Sequence, residues 1–131
     1  MHKCDRQNLC RHAHLLETRA QKQLAQEKYG CSAVAHLQQI GFLSSRTSLA
    51  HCVWLDDADI AIMAETKSTV VHNPLSNLRL GSGIAPILKY RQAGVNVSFG
   101  CDGAARACFQ TQRSPPAPLK KGGKESLSPP F

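Results

Sequence analysis

Four short runs in this chain share one design. Each is an apolar or β-branched stretch that closes on a residue able to bind a metal or move a proton, and helically spaced segments separate them. The runs cover 8–14, ending on His14; 48–51, ending on His51; 69–72, ending on His72; and 95–100, leading into Asp102. The gaps are too long for two-residue hairpins and wide enough for crossovers, which predicts parallel strands. In parallel α/β folds the functional groups collect at the C-terminal ends of the strands, so His14, His51, His72 and Asp102 are expected on one face. For any one of them, a polar residue where the chain leaves the core is as good a reading. Four in register point to a pocket.

The connecting segments carry helix punctuation. Thr18 is placed to cap a helix running to about Lys28, with Ala20, Leu24, Ala25 and Lys28 at helical spacing and Gly30 to stop it. Ser32 can cap a second helix whose stripe is Val34, Leu37 and Ile40, ended by Gly41. Asp56 and Asp57 suit the N-terminus of a third, with Ile60, Ile62 and Met63 on its inner side. The composition of 73–77, Asn-Pro-Leu-Ser-Asn, predicts a loop. Pro86 fits the first turn of a fourth helix through about Ala93, closed by Gly94.

At 131 residues and 42% hydrophobic, the chain suits one domain or part of one with a packed core. Its formal net charge of +7 is uneven. From Arg106 onward, Arg106, Arg113, Lys120, Lys121 and Lys124 face Glu125 alone. No aromatic residue lies among the three lysines to stack a base, so solvated charge is the simpler reading and argues against a nucleic-acid partner. That same segment, 106–131, holds five of the seven prolines and is expected to be a disordered Pro/Lys/Gly/Ser tail after a folded unit at 1–105. Its Gly122-Gly123-Lys124-Glu125-Ser126 lacks the strand and helix that a phosphate loop needs.

Six cysteines in so short a chain suggest disulfides only in a secreted protein. The first residues lead into no apolar segment, so a cytoplasmic protein with free thiols is expected. No Cys-x-x-Cys pair is present to make a zinc finger, and no run is long enough to span a membrane. The chemistry therefore falls to His14 and Glu17. A neutral imidazole binds zinc or iron, and a carboxylate three residues on can move protons between an activated water and a substrate.

The segments His14-Leu15-Leu16-Glu17-Thr18, 46–52 (Arg-Thr-Ser-Leu-Ala-His-Cys), 71–86 (Val-His-Asn-Pro-Leu-Ser-Asn-Leu-Arg-Leu-Gly-Ser-Gly-Ile-Ala-Pro) and 93–105, which contains Cys101-Asp102-Gly103, occur in a fixed order. In that order the chain resembles the amidohydrolase superfamily, in the branch of cytosine deaminase-like, S-adenosylhomocysteine or methylthioadenosine deaminase-like and triazine hydrolase-like enzymes. The resemblance implies an α/β fold: part of a (βα)8 TIM barrel, about strands five to eight with their helices. It implies one divalent metal, zinc or iron, with His14 and Asp102 as ligands. Glu17 matches the proton shuttle, His51 the histidine that orients and polarises the attacking hydroxide, and Asp102 can also take a proton. The implied activity is hydrolysis of a carbon-nitrogen or carbon-halogen bond on a purine, pyrimidine or triazine ring, a small heterocyclic substrate.

Two residues imitate ligands. His12-Ala13-His14 looks like the family's paired-histidine motif, but that motif belongs on the first barrel strand, so only His14 is expected on the metal, with His12 a polar neighbour on the opposite side of the strand. His72 is expected to be a hydrogen-bonding residue at its strand end. Cys101 stands where the family commonly has threonine, a change that should leave the Asp102 carboxylate available. The first-strand histidines are missing, and the sequence from Arg106 departs from the family, so a truncated, inactive copy that binds metal weakly if at all is expected. Exposed barrel edges would favour self-association or pairing with another half-barrel. The alternative is a non-catalytic interaction piece or a vestigial polypeptide.

Overall fold

A computed structural model describes residues 7–104. The expected tail, the phosphate-loop-like segment, Cys4 and Cys108 lie outside them. The described chain alternates strand and helix: β1 (Arg11–Leu15), α1 (Arg19–Tyr29), α2 (Ala33–Gln39), β2 (Thr47–His51), α3 (Asp57–Glu65), β3 (Thr69–His72), α4 (Pro74–Leu80), α5 (Ile87–Gln92), β4 (Asn96–Phe99) and a 3-10 turn, Asp102–Ala104. The strands form one sheet in the order β1-β2-β3-β4, and every pair is parallel. Spatial order therefore equals chain order, and all four C-termini open on the same rim.

The helix ends follow from side-chain chemistry. Thr18 caps α1: its Oγ accepts from the Gln21 N–H, and the Gln21 side chain accepts in return from the Thr18 N–H. Gly30 ends the helix at φ 68, a left-handed conformation that a Cβ would oppose. Ser32 caps α2. Asp56 caps α3, with Asp59 reciprocating, and the Ser32 hydroxyl donates to the Asp59 carboxylate, so the starts of α2 and α3 are tied together.

The loop expected at 73–77 is instead the start of α4. Proline has no N–H to donate, but at the first helical position that donor would be unused, so Pro74 opens the helix rather than breaking it. Gly81, at φ 68, closes it.

The core lies between the sheet and its helices. Leu15, Leu49 and Val70 from the strands meet Val34 of α2, Ile60 and Met63 of α3, Tyr90 of α5 and Val95. Burying each such side chain stabilises the fold by roughly 1.5–3 kcal/mol. Tyr90 also donates its hydroxyl to the Cys52 carbonyl, anchoring α5 against the end of β2. Cys10, Cys31 and Cys52 carry free thiols, as expected, whereas Cys101 is disulfide-bonded. No helix among the described residues is long and apolar enough to cross a membrane.

One cap sets an acid limit on stability. The Asp59 backbone N–H, and beyond it Lys22 at 3.2 Å, hold the Asp56 carboxyl below the ordinary carboxylate range. A carboxyl depressed on folding contributes stability above its unfolded pKa and loses it as pH falls through the folded value. Asp56→Asn should therefore flatten the loss of stability on the acid side, measured as the urea midpoint between pH 6 and pH 2.

Candidate metal centre

The strand ends are bent to face one another. Leu16, His51, Cys52 and Asp102 all have positive φ, at 46, 71, 48 and 46°. Such conformations cost side-chain-bearing residues on the order of 1–3 kcal/mol each and persist where surroundings fix them. At the ends of β1 and β2 they are fixed by backbone bonds between the two strands. The Cys52 N–H donates to the Leu15 carbonyl at 2.9 Å, and the Val53 and Trp54 N–H groups both donate to Leu16 at 3.0 and 3.2 Å.

Three of the expected residues converge. One donor atom from each of His14, His51 and Asp102 lies within 4.8 Å of the others, and the His14 and His51 rings stack at 5.2 Å. His14 and Asp102 reach the rim exposed, whereas His51 is 1% exposed. Its Nε2 stands 3.9 Å from Glu17 Oε2 and 4.0 Å from Asp102 Oδ2, so it faces both carboxylates. Two imidazoles and a carboxylate suit zinc or iron. His51 Nε2 thus stands beside His14 and Asp102, placed to face an ion held there or its water.

The hydrogen bonds around these groups come largely from the segment after β3. Ser76 donates to Asp102 Oδ2 at 2.6 Å. That bond holds the Asp102 carboxyl below its ordinary range. His51 Nδ1 lies 2.8 Å from Asn77 Oδ1, and Ser82 donates to Glu17 Oε1 at 3.3 Å. None of these three partners was singled out in the sequence. All sit within the 71–86 stretch, where only their polarity marked them.

The two look-alike histidines separate. His12 is not on the opposite side from His14: residues two apart on a strand share a face, and their rings lie 6.1 Å apart. It remains outside the donor group, with Nδ1 2.8 Å from Ser48 Oγ. His72 ends its strand as expected but stands apart from the cluster, and its buried Nδ1 makes no hydrogen bond among the described residues. Burial holds its pKa below the ordinary imidazole value. Cys52 adjoins His51, yet burial, reinforced by Asp59, pushes its thiol up to about 12, which removes it as a nucleophile.

The same architecture recurs in known proteins. 5'-Deoxyadenosine deaminase of Methanosarcina acetivorans is 48% identical over 94 residues, 72% of this chain and 22% of that protein. The 5-methylthioadenosine/S-adenosylhomocysteine deaminase of Thermococcus sibiricus is 48% identical over 92 residues, 70% of this chain and 22% of that one. Among solved structures, an adenosine deaminase from Xanthomonas campestris with bound zinc superposes with a TM-score of 0.71 at 33% identity, over 75% of this chain and 22% of that one. Atrazine chlorohydrolase TrzN from Arthrobacter aurescens TC1, complexed with zinc, gives 0.70 at 30% identity, over 74% and 21%. The chain thus spans about a fifth of the length of these relatives, and its parallel sheet with helices matches that part of their TIM-barrel fold. The sequence profile of the Amidohydrolase family matches residues 1–123, and with the fold and strand-end donors agreeing, this chain belongs to that family.

Proposed function

We propose that this chain carries the strand-end part of a metal-dependent active site that hydrolyses a carbon-nitrogen bond on a purine, pyrimidine or triazine ring. The observation that carries the reading is the convergence of His14, His51 and Asp102 within 4.8 Å, with the Glu17 carboxylate 3.9 Å from His51. The activities in the names of its relatives, deamination of adenosine-type compounds and atrazine dechlorination, support this substrate class.

Zinc, or iron on the same donors, would be held by His14 and Asp102 and supply the Lewis acidity that makes water a usable nucleophile near neutral pH. His51 Nε2 orients the attacking water, and Asp102 receives its proton. Glu17 carries a proton to the leaving nitrogen. A carbon-oxygen bond forms at the ring carbon, the carbon-nitrogen bond breaks, and ammonia departs with that proton. With a chloro-substituted ring the leaving group is chloride.

The described residues offer three donors on an exposed rim, and we place the walls that enclose a substrate elsewhere. The chain by itself is expected to release no ammonia above a zinc-only blank. Grafting residues 8–104 into the matching segment of the Methanosarcina acetivorans enzyme should give a zinc-dependent deaminase of 5'-deoxyadenosine. Glu17→Gln in that graft should cost about 10²–10⁴-fold in rate, the range for a positioned proton carrier. A graft that folds and binds zinc but releases no ammonia would sink the reading.

A second reading is favoured by the apolar side chains left uncovered. Leu78, Leu80, Ile84, Leu88 and Phe99 are exposed, Phe99 by 76%, along α4, α5 and the outer strand β4. An apolar surface of this kind, beside a strand edge that pairs with no other strand among the described residues, suits a chain that packs against another half-barrel or a second copy.

A further inference from the structure

The proton-handling groups come from three different strand ends, yet one connection holds them all. Residues 73–83, α4 with its flanks, place Ser76 on Asp102, Asn77 on His51 and Ser82 on Glu17. We propose that this segment is a positioning element for the reaction proposed above, and that Asn77 sets which nitrogen of His51 faces the pocket.

The chemistry of each contact is one-directional. An amide oxygen can only accept, so the Asn77 Oδ1 contact requires the proton on His51 Nδ1 and leaves a lone pair on Nε2, the nitrogen that faces Glu17 and Asp102. A carboxylate likewise only accepts, so the Ser76 hydroxyl fixes the orientation of Asp102 through its Oδ2. Ser82 does the same for Glu17.

The segment is itself held rigid. Ser82 N–H donates to the Asn77 carbonyl at 2.9 Å, closing the end of α4, and the Trp54 indole N–H donates to the Ser82 carbonyl at 3.0 Å. Gly83, at φ 116, packs so closely that a Cβ there would lie 3.0 Å from Val53 Cγ1. At the other flank a Cβ on Gly100 would collide with Asn73 Oδ1, so the approach to Asp102 is fitted against the start of α4.

Stability alone is a poor account of Asn77. It is 1% exposed, and its Nδ2 finds no partner among the described residues. A buried donor left unsatisfied is destabilising, and a leucine of similar size would not carry it. What the amide provides is the fixed imidazole. Outer hydrogen-bond partners of this kind orient ligating groups and select the tautomer.

The test uses the full chain, labelled with ¹³C and ¹⁵N, at one neutral pH and without metal. The parent should show His51 as a single neutral tautomer, with a protonated Nδ1 signal well separated from an unprotonated Nε2 signal. Asn77→Leu should collapse that separation, while Asn77→Asp, which keeps an acceptor opposite Nδ1, should preserve it. Ser76→Ala should shift the Asp102 carboxyl carbon and Ser82→Ala that of Glu17; Ser76→Thr and Ser82→Thr should restore them. Variants that keep the parental amide fingerprint and leave all these signals unmoved would overturn the proposal. If Asn77→Leu does not fold, loss of the tautomer in Asn77→Asp overturns it instead. The outcome is independent of turnover: an inactive graft with these signals moving as stated fails the functional reading and leaves the positioning element standing.

Discussion

Replacing Asp102 with alanine will weaken binding of zinc or cobalt by more than about 100-fold. Loss of an outer partner alone typically lowers metal affinity 10–100-fold, and Asp102 offers a donor atom directly. It is also the only anion in a group whose other members are imidazoles, so its removal takes away the charge that offsets a divalent cation. In this chain, whose site is exposed on one side, the change reads as disappearance of saturable binding in a cobalt titration followed by visible absorption. His72→Ala is the comparison. His72 also ends a strand but lies outside the donor group, so affinity should stay within a few-fold of the parent. Equal losses in the two variants would mean that the convergence of His14, His51 and Asp102 does not hold a metal.

The largest effect on stability is expected at Leu49. It is 0% exposed in the middle of β2 and is paired in register with Ala13 on one side and Val70 on the other. Leu49→Ala leaves a cavity between two strands that cannot close without breaking their ladders, and such changes cost about 2–5 kcal/mol. Against a total of roughly 5–15 kcal/mol that is a large share, visible as a drop in the urea midpoint at unchanged slope. The effect should extend to function, because β2 carries His51 two residues on.

Most of the framework was legible in the chain. Thr18, Ser32 and Asp56 cap helices for local reasons, and Gly30 stops one for an equally local one, so these signals survive without tertiary context. The parallel order followed from the lengths of the connections. What misled was Asn73-Pro74-Leu75-Ser76-Asn77: turn formers by composition, they make a helix because proline suits its first position and the buried faces of Ser76 and Asn77 have partners waiting. Those partners are 26 residues away in sequence, on either side, so no local pattern announces them. His12 shows a different fault. Strand alternation alone places it on the face of His14, and only the register with Ser48 gives its ring a neighbour outside the donor group.

Spatial order matching chain order has a consequence for how the donor group comes and goes. His14 and His51 sit on strands that are adjacent and joined early in the chain, while Asp102 arrives with β4, the outermost strand, most of whose side chains are exposed. An ion held by His14 and Asp102 would act as a cross-tie between the first strand and this loosely covered outer one. Metal-free protein should then exchange its amide hydrogens fastest along β4, and loading the ion should slow that exchange there before it slows it anywhere else.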